Sequence, residues 1–554
     1  MEKKKWWQKA VFYQIYPRSF ADSNNNGIGD LQGVIERLDY LQELGIDAIW
    51  FSPFFSSPQK DFGYDISDYR TIDPGYGTMK DFEELLEKAH SLDIKIILDM
   101  VLNHTSDEHP WFLESRSNTT NPKRDWYIWR KGRGKKQDKP PNNWRAVFGG
   151  NAWKWDKYTQ EYFFHQFLPF QPDLNWRNSA VQEEMLETVR FWVEKGVDGF
   201  RLDIIHTLFE DKDFRDNPRS WRLLPSSDST AYLFQNPKYT AFLPETINMC
   251  IHIRSLIDSY VPERMVVGEV MGGPRIFRPL YGENNNGLNL VFNFKFSDQS
   301  FSAKKFFQVI QETESILSDP YWPCYVFSNH DKTRMISRVG NNEKKAKLLT
   351  LLLLTVRGTP FIYYGEEIGM HQGKIPKEAL KDPLAKLKVM GIPIGKFLGR
   401  DGCRTPMQWD NSSGNAGFSP KLDTIPWLPI STNSDVINVE NQKNDEKSML
   451  SYFKQLIHLR KSENALCEGK LLNLSIPCKN CLTFERLGYQ EGKLVALLVI
   501  FNFNNKLIQI QNPYPSSTII FSTESLNLLS STTDNITIQA YEGLLTKFSF
   551  ESVS

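Results

Sequence analysis

The sequence predicts an α/β protein built on a (β/α)8 TIM barrel, with a small subdomain inserted after the third strand and an antiparallel β domain at the C-terminus. Over the first four hundred residues, short and continuously apolar runs alternate with amphipathic helical patterns. Such runs are typical of parallel strands buried on both faces. The number of repeats favours a closed barrel over an open sheet.

The strand and helix patterns follow one another along the chain. "VFYQIYP" precedes the helical "LQGVIERLDYLQEL", and "AIWFSP" precedes "MKDFEELLEKAHSL". Later strands are predicted in "KIILDM", "GFRLDI", "RMVVGEV", "CYVFSNHD" and "TPFIYYG". The most apolar stretch, "LLTLLLLTVRGTPFIYYG", is broken by Arg357, Gly358 and Pro360. It is therefore predicted to be a buried helix, a turn and a buried strand rather than a membrane span.

Two regions depart from the barrel pattern. Residues 105–174 are rich in Trp, Gly and Asn; because a structureless loop of that length is uncommon, we expect an inserted subdomain there. Residues 467–554 show alternating strands such as "LVALLVIFNF" and "TIIFS" between Asn and Ser turns, which predicts a separate β domain. The barrel is then assigned to residues 1–104 and 175–466.

Charge and cysteine content narrow the class of protein. The chain has 66 Lys+Arg and 66 Asp+Glu, and this balance argues against a nucleic-acid or membrane partner. The N-terminus lacks the apolar core of a secretory signal, so a cytoplasmic location is expected. Six cysteines in 554 residues fit reduced thiols, and Cys478 and Cys481 have no second pair at zinc spacing. The basic run from Arg130 to Lys139 is expected to be a solvated surface loop.

Polar side chains stand at the predicted strand ends, where a (β/α)8 barrel places its catalytic groups. Each alone is more often a helix cap or a hydrogen-bonded structural residue. Together they bring several acids to one barrel mouth, and clustered like charges move the pKa values of such acids apart. The residues are Asp99, Asn103 and His104 after the third strand, Arg201, Asp203 and His206 at the fourth, Glu269 at the fifth, and His330 and Asp331 at the seventh.

Two carboxyl groups with different pKa values are what glycoside hydrolysis needs, since one attacks as an anion and the other donates a proton. Arg201 lies within reach of Asp203 and would keep that carboxylate ionised. Glu269 follows the apolar "RMVVG", and a less polar pocket would raise its pKa and suit it as the acid. The sequence has no metal-spaced His cluster and no G-x-S-x-G motif, which argues against metal hydrolysis and against a serine triad.

The motifs "DMVLNH", "QPDLN", "GFRLDIIH", "VGEV" and "FSNHD" occur in the order of the signatures of the α-amylase family, glycoside hydrolase family 13. The chain resembles that family from "WWQKAVFYQIYPRSF" through "RTPMQWD". The resemblance implies that Asp203 is the nucleophile, Glu269 the general acid/base, and Asp331 the acid that binds substrate hydroxyls and stabilises the transition state. It implies a retaining reaction through a β-glucosyl ester on Asp203. The residues matching ligands around the reacting sugar are Arg201, His104 and His330.

Within that family, "QPDLN", "RTPMQWD" and "DFGYDISDY" resemble the exo-acting α-glucosidases and oligo-1,6-glucosidases. The resemblance implies that Asp61, Tyr64 and Arg404 close the pocket around a terminal glucose. A longer chain would then be rejected because buried polar groups would lose their partners. Phe148 and Phe167 match aromatic wall positions, with packing in the core as the alternative. The implied substrates are small α-glucoside oligosaccharides, the implied catalysis needs no cofactor, and a monomer or homodimer is expected.

The bond that is cleaved stays open at this point. Ile204 follows the nucleophile, and its bulky, β-branched side chain resembles the class of enzymes that leans toward α-1,6 or mixed linkage. The stretches "DFGYDISDY", "EHPWFLESR" and "KRDWYIW" instead resemble broad-specificity bacterial α-glucosidases. A transglucosylase or sucrose isomerase of the same family would form the same ester and pass it to a sugar. Non-catalytic transporter heavy chains share the fold but carry a membrane span and lack the complete acid set.

The loop "DSNNNGIGD" resembles the calcium loop that such glucosidases carry after the first strand, and it partly follows the rhythm of an EF-hand. An acid often stands where Asn26 does, so the loss of one charge should weaken the site. A polar Asx turn without metal is the alternative. We expect a structural Ca²⁺ or Mg²⁺ that takes no part in the chemistry. The implied ligands are Asp22, Asn24, Asn26, the carbonyl of Ile28 and Asp30.

Overall fold

The computed structural model describes residues 4–223, 226, 228–386, 388–389, 392–393, 399–524 and 530–550. Its centre is a sheet of eight strands whose neighbours all run parallel. A parallel bridge between Phe292 and Cys324 joins the two ends of this sheet, and the predicted barrel is confirmed. The strands are β1 (Phe12–Ile15), β2 (Ala48–Phe51), β3 (Lys95–Met100), β4 (Gly199–Leu202), β5 (Met265–Gly268), β6 (Leu290–Val291), β7 (Cys324–Val326) and β8 (Thr359–Tyr363).

The sixth strand is the one that the sequence pattern does not show. Leu290–Val291 has only two residues, which is too short to stand out as an apolar run. Both residues are buried, and Val291 pairs with Gly268 of β5. This pairing places the loop after β6 beside the end of β5.

Helices cover the outside of the barrel between successive strands. The stretch predicted as one helix after β1 is divided at Arg37, whose φ of −106° and ψ of 4° interrupt it. The helix after β2 begins at a Thr78 and Asp81 capping box, which satisfies two backbone donors at its first turn. The main helices are α1 (Leu31–Glu36), α2 (Leu38–Leu44), α3 (Met79–Ser91), α4 (Ser179–Glu194), α5 (Pro244–Asp258), α6 (Ala303–Ile316), α7 (Glu343–Thr355) and α8 (Met449–Ser462).

The apolar stretch near residue 350 is α7 followed by β8, as predicted. The last eight residues of α7, from Leu348 to Thr355, are all Leu or Thr, and all eight are buried. Within the described ranges, no helix combines the length and the apolar character that crossing a membrane requires.

The segment 105–174 contains a helix, Pro110–Ser117, and a three-stranded antiparallel sheet. The strands of this sheet are Trp129–Arg130, Trp153–Asp156 and Glu161–Phe164. A separate aromatic core, which includes Trp144, lies within it. A bridge between His104 and Asp173 joins the two ends of the segment, so both ends of the segment return to the end of β3.

The C-terminal region is an antiparallel β structure, in agreement with the predicted fold class. A buried arginine joins it to the barrel, since Arg486 donates to the carbonyls of Thr355 on α7 and of Gly469. Arg460 of α8 donates to Leu354 of the same helix end. Positive charge at the C-terminus of α7 is favourable because helix carbonyls are unpaired there. The strands are Lys470–Ser475, Cys481–Gln490, Lys493–Asn502, Ile508–Gln511, Thr518–Ser522, Ser530–Ser531, Asn535–Ile538 and Gly543–Ser549.

Candidate active site

The strand-end acids predicted from the sequence meet at one cavity of about 390 Å³. Asp203, Glu269 and Asp331 all line it, and they come from the ends of β4, β5 and β7. Parallel strands of a barrel end at the same face, which is why residues far apart in the sequence converge here. The geometry needed for acid–base chemistry on one small molecule is therefore present.

One guanidinium organises these acids. Arg201 Nη1 donates to Asp203 Oδ1 at 2.5 Å and to Asp99 Oδ1 at 2.7 Å, and Nη2 contacts Glu269. Arg201 is 1 % exposed, so water does not screen these contacts. The expected contact between Arg201 and Asp203 is present, and Glu269 shares the same cation.

The two carboxyls differ in pKa. Burial raises the pKa of Asp203 to about 6, with Arg201 opposing the rise and Asp99 adding to it. Burial, together with the charges of Asp203 and Asp331, raises the pKa of Glu269 to about 8 despite Arg201. Near pH 7 the pair holds Asp203 mainly as an anion and Glu269 mainly as an acid. This is the division of roles that the resemblance implies.

Asp331 stays ionised in spite of its surroundings. Burial disfavours its charge, but the positive charges around it hold the pKa of this carboxyl well below its usual range. Arg404 Nη2 donates to Asp331 Oδ1 at 2.8 Å, and Arg400 Nη1 donates to the same oxygen at 3.1 Å. A permanent anion at this position can accept hydrogen bonds from sugar hydroxyls.

A neutral histidine lies next to Asp331. His330 Nδ1 lies 2.8 Å from Gln14 Nε2, and its Nε2 lies 2.8 Å from the Tyr64 hydroxyl and 3.2 Å from Asp331 Oδ2. With Gln14 as donor to Nδ1, the proton of the ring is on Nε2, which faces the Tyr64 hydroxyl and Asp331. His330 itself does not line the cavity, although both of these partners do. Burial lowers the pKa of His330 to about 3, so the ring serves as a hydrogen-bond donor and not as a cation. The Tyr64 hydroxyl donates to Asp99 Oδ2 at 3.0 Å.

The closure of the pocket differs in one residue from the expectation. Asp61 and Tyr64 line the cavity, but the arginine beside them is Arg400, whose Nη2 donates to Asp61 Oδ1 at 2.7 Å. Arg404 does not line the cavity; it is buried behind Asp331, with Nε donating to the His330 carbonyl at 2.8 Å. The expectation that Arg404 closes the pocket with Asp61 is therefore wrong. The 3₁₀ turn Asp401–Cys403 lies between the two arginines. Both donate to Asp331 Oδ1, but Arg400 is the one that reaches Asp61.

Asp382 holds Arg400 in place. Arg400 Nε donates to Asp382 Oδ2 at 3.0 Å, and its Nη2 donates to Asp382 Oδ1 at 2.9 Å. This bidentate geometry fixes the plane of the guanidinium. "GRDGCR" contains two arginines, and only the second belongs to the quoted "RTPMQWD" motif, while Asp382 stands in no recognisable motif. Sequence reasoning missed both residues for that reason.

The remaining wall residues lie as expected around the cavity. His104, Phe148 and Phe167 all line it. His104 Nε2 donates to the Tyr64 carbonyl at 3.0 Å, and burial lowers the pKa of this histidine to about 4. Gln171, inside "QPDLN", also lines the cavity and donates to Asp61 Oδ2 at 3.2 Å. His206, to which no role is assigned, is buried against Phe242.

Ile204 has a strained backbone and lines the same cavity. Its φ of 37° and ψ of 38° lie in the left-handed region, where a β-branched residue is rare and costs on the order of 1–3 kcal/mol. This conformation turns the chain directly after Asp203. The side chain is thereby presented to the substrate cavity rather than to the core.

The predicted metal loop is closed by its own hydrogen bonds. Asp22 Oδ1 accepts from the amides of Asn24 and Asn25, and Asn26 Oδ1 accepts from the amide of Ile28 at 2.7 Å. Asp30 Oδ1 accepts from the Gly33 amide and caps α1. Across the described part of the chain, no three His, Cys, Asp or Glu side chains form a metal-binding group. The donor set is made of hard oxygen atoms, which suits Ca²⁺ or Mg²⁺, but it contains only two carboxylates.

Comparison with known proteins agrees with this geometry. The family description "Alpha amylase, catalytic domain" matches residues 14–469. A probable α-glucosidase from Rhizobium meliloti (strain 1021) is 42 % identical over 482 residues, covering 84 % of each chain. An oligo-1,6-glucosidase from Parageobacillus thermoglucosidasius is 39 % identical over 552 residues, covering 94 % of each chain.

Solved structures show the same fold along the whole chain. The crystal structure of an α-glucosyl transfer enzyme has a TM-score of 0.88 and 37 % identity, covering 98 % of this chain and 100 % of its own. An isomaltulose synthase from Erwinia rhapontici NX5, in complex with its natural substrate sucrose, has a TM-score of 0.85 and 31 % identity, covering 98 % and 99 %.

Proposed function

The chain belongs to the α-amylase family of glycoside hydrolases, and on that basis we propose that it is an exo-acting, retaining α-glucosidase. Its substrates are small α-glucoside oligosaccharides, from which it removes the terminal non-reducing glucose. The observation that carries the proposal is the contact of Arg201 with both Asp203 and Glu269, in a cavity closed by Asp61 and Arg400. The relatives named above as α-glucosidase and oligo-1,6-glucosidase support it.

The first chemical step forms a glucosyl ester. Asp203 attacks the anomeric carbon from the face opposite the leaving group, and the glycosidic C–O bond breaks as Glu269 donates its proton to that oxygen. Arg201 orients Asp203, while Asp331 accepts hydrogen bonds from hydroxyls of the glucose ring. The product is a β-glucosyl ester and a free leaving sugar.

The second step reverses the roles. Glu269, now ionised, removes a proton from water, which attacks the same carbon and releases Asp203. Two inversions leave the glucose in its original α configuration. The carboxyl with the higher pKa is suited to both steps, because it can be acid first and base afterwards.

The test is a rate panel with product analysis. Maltose, isomaltose, trehalose, kojibiose, nigerose, sucrose and longer maltodextrins are supplied, and the anomer released is followed by NMR. The proposal expects glucose to appear first as the α anomer, with disaccharides cleaved faster than long chains. Initial release of the β anomer, or internal cleavage of maltodextrins, would overturn it.

A transglucosylase or sucrose isomerase is the second candidate, and the fold similarity to an isomaltulose synthase favours it. Such an enzyme would form the same ester on Asp203 but deliver it to a sugar acceptor. The products separate the two candidates: free glucose supports hydrolysis, and isomaltulose or trehalulose from sucrose supports isomerisation. The same panel also measures which glycosidic linkage is cleaved fastest. The side chain of Ile204 alone changes the discrimination between linkages by only about 1–3 kcal/mol.

We also propose that the "DSNNNGIGD" loop binds Ca²⁺ or Mg²⁺ through Asp22, Asn24, Asn26, the Ile28 carbonyl and Asp30. The hard oxygen donors and the family resemblance support this, and the ion would tie the β1–α1 loop to Ser419, whose hydroxyl donates to Asp22 Oδ2 at 2.6 Å. Chelation should lower Tm by several degrees while changing kcat little, because the ion stabilises only the folded state. An unchanged Tm with EDTA and with added Ca²⁺ would remove the proposal.

We also propose that residues 105–174 form an inserted subdomain and residues 467–554 a C-terminal β domain, which the separate sheets within each range support. A cytoplasmic location is proposed as well. All six cysteines are free thiols, which suits a reducing compartment.

A further inference from the structure

Two cysteines of the C-terminal β structure lie on one tight turn that the catalytic steps do not use. The turn runs from Cys478 to Cys481, at the start of the strand Cys481–Gln490. The Cys481 amide donates to the Cys478 carbonyl at 3.1 Å, and Asn480 has a φ of 60°. A four-residue turn closed in this way keeps its first and last Cα atoms within about 7 Å. Disulfides usually span Cα–Cα distances of roughly 4.4–6.8 Å, so the backbone already holds the two cysteines at a suitable separation.

The two thiols of this turn contact each other but differ in exposure. Cys481 is buried in an apolar cluster of the β structure, whereas Cys478 is partly exposed. Burial raises the pKa of the Cys481 thiol, and the charge of Cys478 and a hydrogen bond between the two side chains raise it further. The other four cysteines are buried as well, so a thiol reagent in solution reaches Cys478 first.

Asn480 links the same turn to the barrel. Its Oδ1 accepts from the amide of Ala303, the first residue of α6, at 3.2 Å. Ser302, which precedes that helix, makes no side-chain cap, so the turn supplies a hydrogen bond that the helix N-terminus otherwise lacks. The Phe503 amide donates to the Asn480 carbonyl at 3.0 Å, and the Phe503 ring packs on Phe301 with the ring centres 4.8 Å apart. The two thiols therefore lie beside a contact between the C-terminal β structure and the barrel.

Metal binding is the other use of two cysteines at this spacing. A structural zinc site needs four protein ligands, most often sulfur and imidazole nitrogen. Within the ranges that the structure describes, no three His, Cys, Asp or Glu side chains form such a group. A pair of thiols without further ligands favours thiol–disulfide chemistry over zinc.

We propose that Cys478 and Cys481 form a redox-active dithiol, a modification site that a small-molecule disulfide such as oxidised glutathione converts reversibly into an intrachain disulfide. The Cys478 thiolate attacks one sulfur of the oxidant, whose S–S bond breaks and releases the first thiol. Cys481 then gives up its proton and attacks the Cys478 sulfur, and the second thiol leaves. Two electrons and two protons pass from the cysteines to the oxidant, which ends as two thiols.

The bridge also acts on the contact with the barrel. It closes a ring across the turn and restrains Asn480, which lies between the two cysteines. The hydrogen bond from the Ala303 amide is then held more persistently, so the first turn of α6 opens less often.

The first experiment exposes the folded, fully reduced protein to oxidised glutathione at about pH 8, where an ordinary thiol is partly ionised. Free thiols are then alkylated and counted, and the peptides are identified by mass spectrometry. We expect the six free thiols to fall to four, with both losses at Cys478 and Cys481, and dithiothreitol to restore all six. Persistence of all six thiols, a loss at other cysteines, or a glutathione that stays on Cys478 of the wild type would overturn the proposal.

Two variants separate the steps of the reaction. Cys481→Ala keeps a small apolar side chain in the core but removes the second thiol, so it should stop with one glutathione attached to Cys478. Cys478→Ala should not react, because the thiol that remains is buried. Cys467→Ala removes a buried thiol outside the turn and is the matched control, which should still form the bridge. A glutathione attached to Cys481 in Cys478→Ala would contradict the role of Cys478 as the attacking thiol.

Hydrogen exchange tests the link to the barrel. The Ala303 amide should exchange at least about threefold more slowly in the oxidised protein than in the reduced one. Asn480→Gly, which tolerates the positive φ, removes the acceptor and should abolish this difference while the bridge still forms. Equal exchange in the two states of the wild type would overturn the link. None of these measurements uses glycosidase activity, so their outcome is independent of the proposed function.

Discussion

At the scale of single residues, the chemistry depends on one cation shared by several acids. Arg201 contacts Asp99, Asp203 and Glu269 at once, yet the two reacting carboxyls differ, because burial raises the pKa of Glu269 to about 8 and that of Asp203 to about 6. After burial, the hydrogen bond between the two carboxyls separates them further, because it lowers the pKa of Asp203 and raises that of Glu269. The lower pKa of Asp203 therefore suits a nucleophile, and the higher pKa of Glu269 suits a proton donor.

The pH dependence of kcat/KM follows from these two values. Below pH about 6 Asp203 becomes protonated and cannot attack, and above about 8 Glu269 loses the proton that it must donate. We expect a bell-shaped profile whose limbs belong to the pair as a whole. A profile that stays flat from pH 5 to 9 would contradict these assignments.

Glu269→Gln should remove the alkaline limb and most of the activity on disaccharides. The loss should be roughly 10²–10⁴-fold, the usual contribution of a general acid. Glucosyl fluoride, whose leaving group needs little protonation, should lose much less in its first step. Measured kcat/KM values that fall equally for both substrates would argue against an acid role for this residue.

At the scale of structural elements, the loops after the strands decide what the barrel accepts. Arg400, held by Asp382, closes the cavity against Asp61. The helix and strand scaffold beneath them is buried and continuous. The residue that closes the pocket thus lies on a loop, whereas the catalytic acids lie at the strand ends.

Arg400→Met tests the closure of the pocket. It leaves Asp61 and Asp382 without their shared cation, and breaking a buried ion pair costs on the order of 3–5 kcal/mol. We expect a lower free energy of unfolding in urea and a loss of kcat/KM for disaccharides of at least about a hundredfold. Arg190→Met, which removes a surface pair with Glu187, is the matched control and should change stability by less than about 0.5 kcal/mol. Wild-type activity in the Arg400 variant would show that another group closes the pocket.

At the scale of the whole molecule, the sequence predicts what is local and repetitive. Asp203, Glu269 and Asp331 could be found because Asp203 and Glu269 directly follow apolar strands and Asp331 follows one within five residues, and strand ends of a barrel share one face. Asp61 and Arg400 lie 339 positions apart, and nothing local marks their pairing. The same holds for β6, whose two residues form a strand only because β5 and β7 flank them.

Arg404 shows the limit of motif matching most clearly. It occupies the quoted "RTPMQWD" motif, yet it contacts Asp331 without lining the cavity. Arg400, four positions earlier and separated from it by a 3₁₀ turn, lines the cavity instead. The conformation of Ile204 was equally hidden, since no pattern in "GFRLDIIH" indicates a left-handed β-branched residue. Contacts and backbone geometry that depend on the assembled barrel could not be predicted from the residues alone.

The most direct test of the central claim is to trap the glucosyl ester. A slow fluorinated α-glucosyl fluoride, such as the 5-fluoro sugar, should accumulate the intermediate on the wild-type protein, because hydrolysis of the ester is slowed. Mass spectrometry of the digested protein should then find one added fluoroglucosyl group on the peptide that contains Asp203, and none on Asp203→Asn. A group attached at Glu269 or elsewhere, or turnover with no trapped ester at all, would contradict the double displacement through Asp203.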